Sequence, residues 1–297
     1  MKMPNFLIVG AAKAGTSSLY HYLNQHPQIF MSAVKEPRFF APELYTEHLK
    51  DPYRSGAKEH RSTPMSVAEY GALFEGVTDE VAIGEASTEY LSMPKTPERI
   101  KQYIPNAKLI IILRDPAERA FSAFCYQVRD GCERFSFEEA LEKEEIRRTE
   151  KKRWPGWQYK RVGFYHEQIA RYLEQFERSQ LKIYLYEDLK SDSASTVKDI
   201  FKFLCVEDTF IPEMTKRNVS AIPRSRMLQN LMIKDNPLKT AIKPFMPQVL
   251  RTTLRAKNLS EKPALSAEIR QRLVKDYRED ILKLQDLIQR DLSKWLV

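Results

Sequence analysis

Cysteine is scarce in this sequence. There are three, Cys125, Cys132 and Cys205, an odd number with no CxxC pair. That argues against a disulfide framework or a cysteine-built zinc site and suits a reducing compartment. The five histidines (His21, His26, His48, His60, His166) show no metal-ligand spacing, so no metal is expected. No apolar run approaches the roughly 18 residues that span a bilayer. The start, Met1 to Val9, is too short and too soon interrupted for a secretory signal. The expectation is a soluble, cytoplasmic protein without an integral membrane segment. Internal repeats and low-complexity tracts are also missing.

What is present is a globular composition, 42% hydrophobic over 297 residues, long enough for a substantial core. We expect one domain, 1–297, with its core over about 5–226 and a basic accessory and C-terminal helical segment over about 227–297. Lysine and arginine number 48 against 40 acidic residues, a net charge of +8. This favours anionic partners without naming them: nucleotides, acidic glycans, nucleic acid and membrane surfaces all remain open.

Asn5 to Val9 is a short apolar run that reads as a buried strand. A small-residue loop, Gly10-Ala-Ala-Lys-Ala-Gly15, follows. Thr16 to His26 then has helical spacing and stops at Pro27. Lys108 to Leu113 repeats the pattern as a strand suited to burial on both faces. Asp115-Pro-Ala-Glu118 starts the next helix with a capping side chain and a first-turn proline, and the helix should run to about Tyr126. Val81 to Gly84 and Leu181 to Tyr186 read as further strands, with a helix from about Phe164 to Arg178. Ser136-Phe-Glu-Glu139 is a capping box opening a charged helix to about Glu150. Ser266 to Leu296 is helical, with Ile281, Leu284, Ile288, Leu292 and Trp295 on one stripe. Ala41 to Met65 reads as loop, and Pro223 to Pro263 as a basic accessory segment. Strands alternating with helices predict an α/β fold: a parallel sheet flanked by helices.

A strand feeding a small-residue loop into a helix start makes an anion site, because the first amides of the helix lack partners and the dipole is positive there. Thr16, Ser17 and Ser18 add hydroxyls and Lys13 adds a mobile cation. The loop resembles the phosphate loop of nucleoside triphosphatases but departs at one place. Thr16, not lysine, follows Gly15; the lysine stands earlier, at Lys13. No strand-following aspartate is placed to hold magnesium, since Asp115 before Pro116 reads as a helix cap. The other reading of Gly10 to Gly15 is a plain tight turn.

With these residues on the page, the sequence resembles the sulfotransferases that use 3′-phosphoadenosine 5′-phosphosulfate (PAPS), nearest to the glycan (heparan sulfate-type) branch and its bacterial relatives. The resemblance covers roughly residues 5–226. Lys13-Ala-Gly-Thr-Ser17 looks like the loop holding the 5′-phosphosulfate, so Lys13, Ala14, Gly15, Thr16, Ser17 and Ser18 are expected at the donor. Leu113-Arg-Asp-Pro-Ala-Glu-Arg-Ala-Phe-Ser122 looks like the 3′-phosphate block, which assigns Arg114 and Ser122 to that phosphate. Lys35-Glu-Pro-Arg-Phe-Phe40 looks like the segment carrying the catalytic base, here Glu36. Tyr186-Glu-Asp-Leu189 and Phe203-Leu204 also fit.

What the resemblance implies is a P-loop-like sulfotransferase fold and a PAPS-dependent transferase. It would move a sulfuryl group by in-line displacement to a hydroxyl or amine, on a carbohydrate or polysaccharide, and release adenosine 3′,5′-bisphosphate. Lys13 would neutralise the leaving oxygen and Glu36 would take the acceptor's proton. An ion pair of Glu36 with Lys35 or Arg38, and of Arg114 with Asp115 or a nearby glutamate, are the structural alternatives. The block Gly84-Glu-Ala-Ser-Thr-Glu-Tyr90 has Ala86 where animal 3-O-sulfotransferases carry lysine, and Arg38 stands where the family has histidine. Acceptor positioning by Arg38 and Glu85 must therefore differ, and Glu85 reads equally as a strand cap. Asn218 to Arg226 resembles a loop closing on the nucleotide, which would bring Arg224 and Arg226 to a phosphate; a solvated basic turn is the alternative. Trp154 and Trp157, set among cations from Lys151 to Arg161, suit stacking on sugars or on single-stranded nucleic acid, or simply anchor a loop. The expected partners are the nucleotide donor and the acceptor, without nucleic acid. A magnesium-dependent kinase or triphosphatase, and a non-catalytic basic binding protein, are the competing classes.

Overall fold

In a computed structural model of the chain, residues 1–45, 63–149, 157–215, 221–225, 229 and 258–297 are described. Five parallel strands form the central sheet: β1 (Phe6–Gly10), β2 (Ile29–Met31), β3 (Ala82–Ala86), β4 (Lys108–Leu113) and β5 (Leu181–Leu185). Their order is β2-β3-β1-β4-β5. All five residues of β1 are buried, as a strand covered on both faces requires. Phe6 registers with Gly84 on one side and Lys108 on the other. A Cβ at Gly84 would lie 2.2 Å from the Phe6 ring, so only glycine lets that ring lie across β3. From β1 the chain crosses to the edge strand β2, returns to β3, and then passes over β1 to β4 and on to β5. The strand order reverses at β1, and a crevice opens at its carboxyl end.

The helices are α1 (Thr16–Leu23), α2 (Val67–Ala72), α3 (Thr96–Tyr103), α4 (Pro116–Arg129), α5 (Phe137–Glu142), α6 (Glu144–Thr149), α7 (Tyr165–Gln175), α8 (Tyr186–Ser191), α9 (Ser193–Leu204) and α10 (Ala267–Ile288). Asp115 caps α4 as expected, its Oδ1 accepting from the amides of Ala117 (2.9 Å) and Glu118 (3.1 Å). The charged helix expected from Ser136 to Glu150 is instead two helices. The break at Lys143 turns the Glu144 carboxylate inward, where it accepts from the amides of Lys160 (2.7 Å) and Arg161 (2.8 Å). An antiparallel pair, β6 (Ala221–Pro223) with β7 (Leu259–Glu261), lies against α4.

α10 belongs to the core. Its buried stripe, Leu273, Tyr277, Ile281, Leu284 and Ile288, packs on α7 and α4, worth on the order of 10 kcal/mol by apolar burial. Asp280 on this helix caps α7 by accepting from the amides of Tyr165 (2.8 Å) and His166 (3.2 Å). Arg270 pairs with Asp115 at 2.8 Å. The expected stripe continues past the helix end through buried Leu292 and Trp295. Among the described residues no helix is long and apolar enough to cross a membrane.

Candidate active site

The loop after β1 enters α1 through Gly15, whose φ of 90° is left-handed. A Cβ there would be strained, and would sit 3.1 Å from the Tyr186 ring. No side chain caps α1, so its first amides point outward at the positive end of the helix dipole. Ala14 and Thr16 are buried, which leaves their backbones as what they offer a ligand. Lys13, half-buried and itself left-handed at φ 71°, holds its Nζ 4.3 Å from the Tyr126 ring centroid. Its affinity for a proton is pushed down to about 8, first by burial, then by Arg129, Arg114 and Lys35, with Asp130 opposing. Lys35 reaches back from after β2 to donate from Nζ to Ser17 Oγ. Four cations act on one another here, and an anionic ligand would relieve that repulsion.

Arg114 leaves the carboxyl end of β4 and ties it to the loop after β1. Its Nη1 donates to the Lys13 carbonyl oxygen at 3.1 Å, and its guanidinium lies 4.6 Å over the Tyr186 ring. The opposite edge is only loosely paired, Nη2 to Glu118 at 3.5 Å. Tyr165 Oη donates to the Arg114 carbonyl at 3.0 Å. Ser122 lies buried on α4 two turns beyond. Lys262, directly after β7, bonds Glu118 Oε2 at 2.8 Å and covers the Phe121 ring at 4.8 Å. Sequence reading did not single out Lys262, because only the pairing of β6 with β7 returns it to α4. Arg224 is exposed at the end of β6, its amide bonded to the Asn258 carbonyl at 2.6 Å. Arg226 lies outside the described residues.

The segment carrying Glu36 lies over the carboxyl end of β3. The Glu36 amide donates to the Ala86 carbonyl at 3.0 Å, and the Arg38 amide to Ser87 Oγ at 3.1 Å. Glu36 (φ 58°) and Arg38 (φ 56°) are both left-handed, one on each side of Pro37. Such conformations cost on the order of 1 kcal/mol or more each and concentrate at functional sites. The Glu36 carboxylate accepts from the Thr88 amide (2.8 Å) and the Thr88 hydroxyl (3.2 Å). Desolvation, then the neighbouring Glu89 carboxyl, hold Glu36 well above the usual carboxylate range. The Arg38 charge is felt at Glu36, but its guanidinium is engaged elsewhere. Its Nη2 meets Glu89 Oε1 at 2.6 Å, with the Arg38 side chain 9% exposed. Glu89 lies in the Gly84 to Tyr90 block, and nothing in its spacing marks it for this contact.

Glu85 is fully buried beneath this segment. Tyr70 Oη donates to its Oε1 at 3.2 Å, and burial lifts its carboxyl to about 7. The Tyr70 ring stacks on Phe39 at 4.2 Å, so Glu85 touches the site from below. Trp157 is buried, with the Arg147 guanidinium 4.8 Å from its ring. Trp154 lies outside the described residues. The structure thus gathers Lys13, Ser17, Arg114 and Glu36, adds Lys35 and Glu89, and sets Trp157 into the packing.

Comparison with known proteins identifies the family. The Sulfotransferase family profile matches residues 4–209. The chain belongs to the sulfotransferase family. Its structure is similar to a sulfotransferase from Alicyclobacillus acidocaldarius, 34% identical over 99% of both chains, with a TM-score of 0.78. It is 28% identical to the human bifunctional heparan sulfate N-deacetylase/N-sulfotransferase 3 over 69% of this chain, and spans 22% of that protein's length. It is 26% identical to human carbohydrate sulfotransferase 15 over 68% of this chain and 44% of that protein.

Proposed function

We propose that this sulfotransferase moves the sulfuryl group of PAPS to a hydroxyl or amine of a carbohydrate, with Glu36 as the general base. The observation that carries this reading is one cleft in which Lys13, Lys35 and Arg114 surround an uncapped helix start while Glu36 is held beside it. The chemistry follows from the parts. The 5′-phosphosulfate would take the amides after Gly15, and Arg114 with Ser122 would take the 3′-phosphate, an arginine fork suiting a dianion. The acceptor's lone pair forms the new bond to sulfur as its proton passes to a Glu36 oxygen. The bond between sulfur and the bridging oxygen breaks, and its electron pair stays on the 5′-phosphate. Lys13 and Lys35 neutralise that growing charge. A carboxylate with raised proton affinity is the stronger base, which suits Glu36 to an acceptor hydroxyl. The names of the human relatives support a glycan acceptor.

The test has two arms. Adenosine 3′,5′-bisphosphate should raise the melting temperature without magnesium; a ligand at 100 times its dissociation constant stabilises by roughly 2.7 kcal/mol. Transfer of labelled sulfate from PAPS should then be scored on desulfated and N-deacetylated polysaccharides. Glu36→Gln should abolish transfer while keeping the nucleotide's melting shift. A shift seen with ATP and magnesium but not with the bisphosphate would favour a triphosphatase and overturn the proposal.

A further inference from the structure

Glu36 does not stand alone in its pocket. The Glu89 carboxyl lies beside it, and the two are arranged unequally. Glu89 Oε1 is held by Arg38 Nη2 at 2.6 Å. Glu89 Oε2 is buried, and among the described residues no nitrogen or hydroxyl donates to it. The group next to it is the Glu36 carboxyl, whose own bonds come from Thr88, the residue preceding Glu89. Two carboxylates cannot approach each other in a desolvated site unless a proton lies between them. A protonated Glu36 supplies the hydrogen that Glu89 Oε2 otherwise lacks.

We infer that Glu36 and Glu89 form one proton-sharing unit, anchored by Arg38, in which Glu89 is the positioning residue that sets when Glu36 is free to act as a base. This rests on the reading of Glu36 as the base. The backbone supports it. Glu36 and Arg38 are left-handed on either side of Pro37, and their side chains bond the consecutive residues Thr88 and Glu89. The charged and titratable groups facing the pair are Arg38 and Lys35 from the same segment, Glu85 from β3 and Tyr45 beyond Arg38. Directions agree with the geometry. Burial would raise Glu89, but the Arg38 guanidinium at 2.6 Å outweighs it and holds Glu89 low, while burial and the Glu89 charge hold Glu36 high. Because the cation sits on Glu89, the resting unit carries its proton on Glu36. That proton must pass to water before Glu36 can take the acceptor's.

Opposite signs at two neighbours test this. Glu89→Gln removes the competing charge and offers an amide hydrogen to Glu36. The acid limb of kcat should move to lower pH by about one unit or more, with the KM for PAPS little changed. Arg38→Gln removes the cation and should move the same limb to higher pH. Glu89→Asp, which keeps the charge, should fall between wild type and Glu89→Gln. Loss of mere packing would not move the limb in opposite directions. A second readout is independent of turnover: carbon-13 resonances of labelled glutamate in the ligand-free protein, with Glu36 assigned by its loss in Glu36→Gln. If the Glu36 carboxyl titrates at the same pH in wild type and Glu89→Gln, the inference is overturned. If those titrations differ as expected but Glu36→Gln still transfers sulfate, the sharing stands and the base assignment fails.

Discussion

Arg114 Nη1 donates to the carbonyl oxygen of Lys13 at 3.1 Å. This one bond ties the carboxyl end of β4 to the loop after β1, so an arginine assigned to one phosphate also sets the backbone around the other. Removing it should therefore harm both. Arg114→Ala is expected to weaken adenosine 3′,5′-bisphosphate by about 10- to 100-fold, the loss of a hydrogen bond to a charged group. Adenosine 5′-phosphate, which lacks the 3′-phosphate, should also bind more weakly to the variant. Calorimetric titration with both nucleotides checks this. An unchanged affinity for the 5′-phosphate would show that the bond to Lys13 is incidental.

Lys13 predicts an alkaline limit. Burial, then the neighbouring Arg129, lower its proton affinity to about 8. In the proposed reaction the charged form is the useful one, for donor binding and for the leaving oxygen. The kcat/KM for PAPS, which reports the free enzyme, should therefore fall as pH rises through about 8. Bound donor supplies negative charge, so the corresponding limb in kcat should lie higher. Lys13→Ala should lose about 100- to 1000-fold in kcat, as when a donor to a developing oxyanion is removed. A kcat/KM for PAPS that stays flat to pH 9.5 would count against Lys13.

Why some of the site was legible and some was not comes down to reach along the chain. Lys13 to Ser18, and Arg114 with its Asp115 cap, are local: a strand, a turn and a helix start within a few residues carry their own signals. β4 was readable because five aliphatics in a row need cover on both faces. β2, with three residues, is too short to show a period. Lys35 meets Ser17 across 18 positions and Lys262 meets Glu118 across 144; neither distance leaves a trace in spacing. Glu89 lies within Gly84 to Tyr90, but its meaning depends on Arg38 arriving from 51 positions away. Arg38 itself, expected towards the acceptor, is turned to Glu89 by a pair of left-handed residues that no pattern announces.

A buried ion pair beyond the cleft predicts a stability cost. Arg147 grips Glu133 with two bonds, 2.7 and 3.0 Å, and Tyr159 Oη donates to the same carboxylate at 2.9 Å. The Glu133 side chain is 0% exposed. Arg147→Ala leaves that charge without its cation and should cost about 3 kcal/mol in guanidinium unfolding at pH 7. Burial raises Glu133, but Arg147 and the surrounding hydrogen bonds prevail and hold it below its ordinary value. Its contribution is therefore present above the ordinary carboxylate range and is lost as pH falls through the folded value. The gap between variant and wild type should narrow on acidification. A cost under about 1 kcal/mol at pH 7 would contradict this account.

Glu85 should give the opposite pH dependence. Its carboxyl, fully buried and bonded by Tyr70, is lifted from an ordinary 4.5 to about 7, chiefly by burial. The folded state thus holds a proton that the unfolded state releases. Its stabilising effect is complete below 4.5 and is lost as pH rises through about 7, because unfolding between those values lets a proton go. The span corresponds to about 3 kcal/mol. Glu85→Gln is neutral at every pH and escapes the loss. Its fixed cost, from placing an amide where Oε2 has no hydrogen-bond partner, is the same at all pH values and cancels in a difference. Relative to wild type, the variant should therefore gain up to about 3 kcal/mol in unfolding free energy between pH 5 and pH 8. Denaturant midpoints at the two pH values measure the change directly. An unchanging difference would mean that Glu85 is already ionised in the folded protein at pH 5, and that the tyrosines around it carry enough hydrogen-bonding capacity to hold a charge in the core.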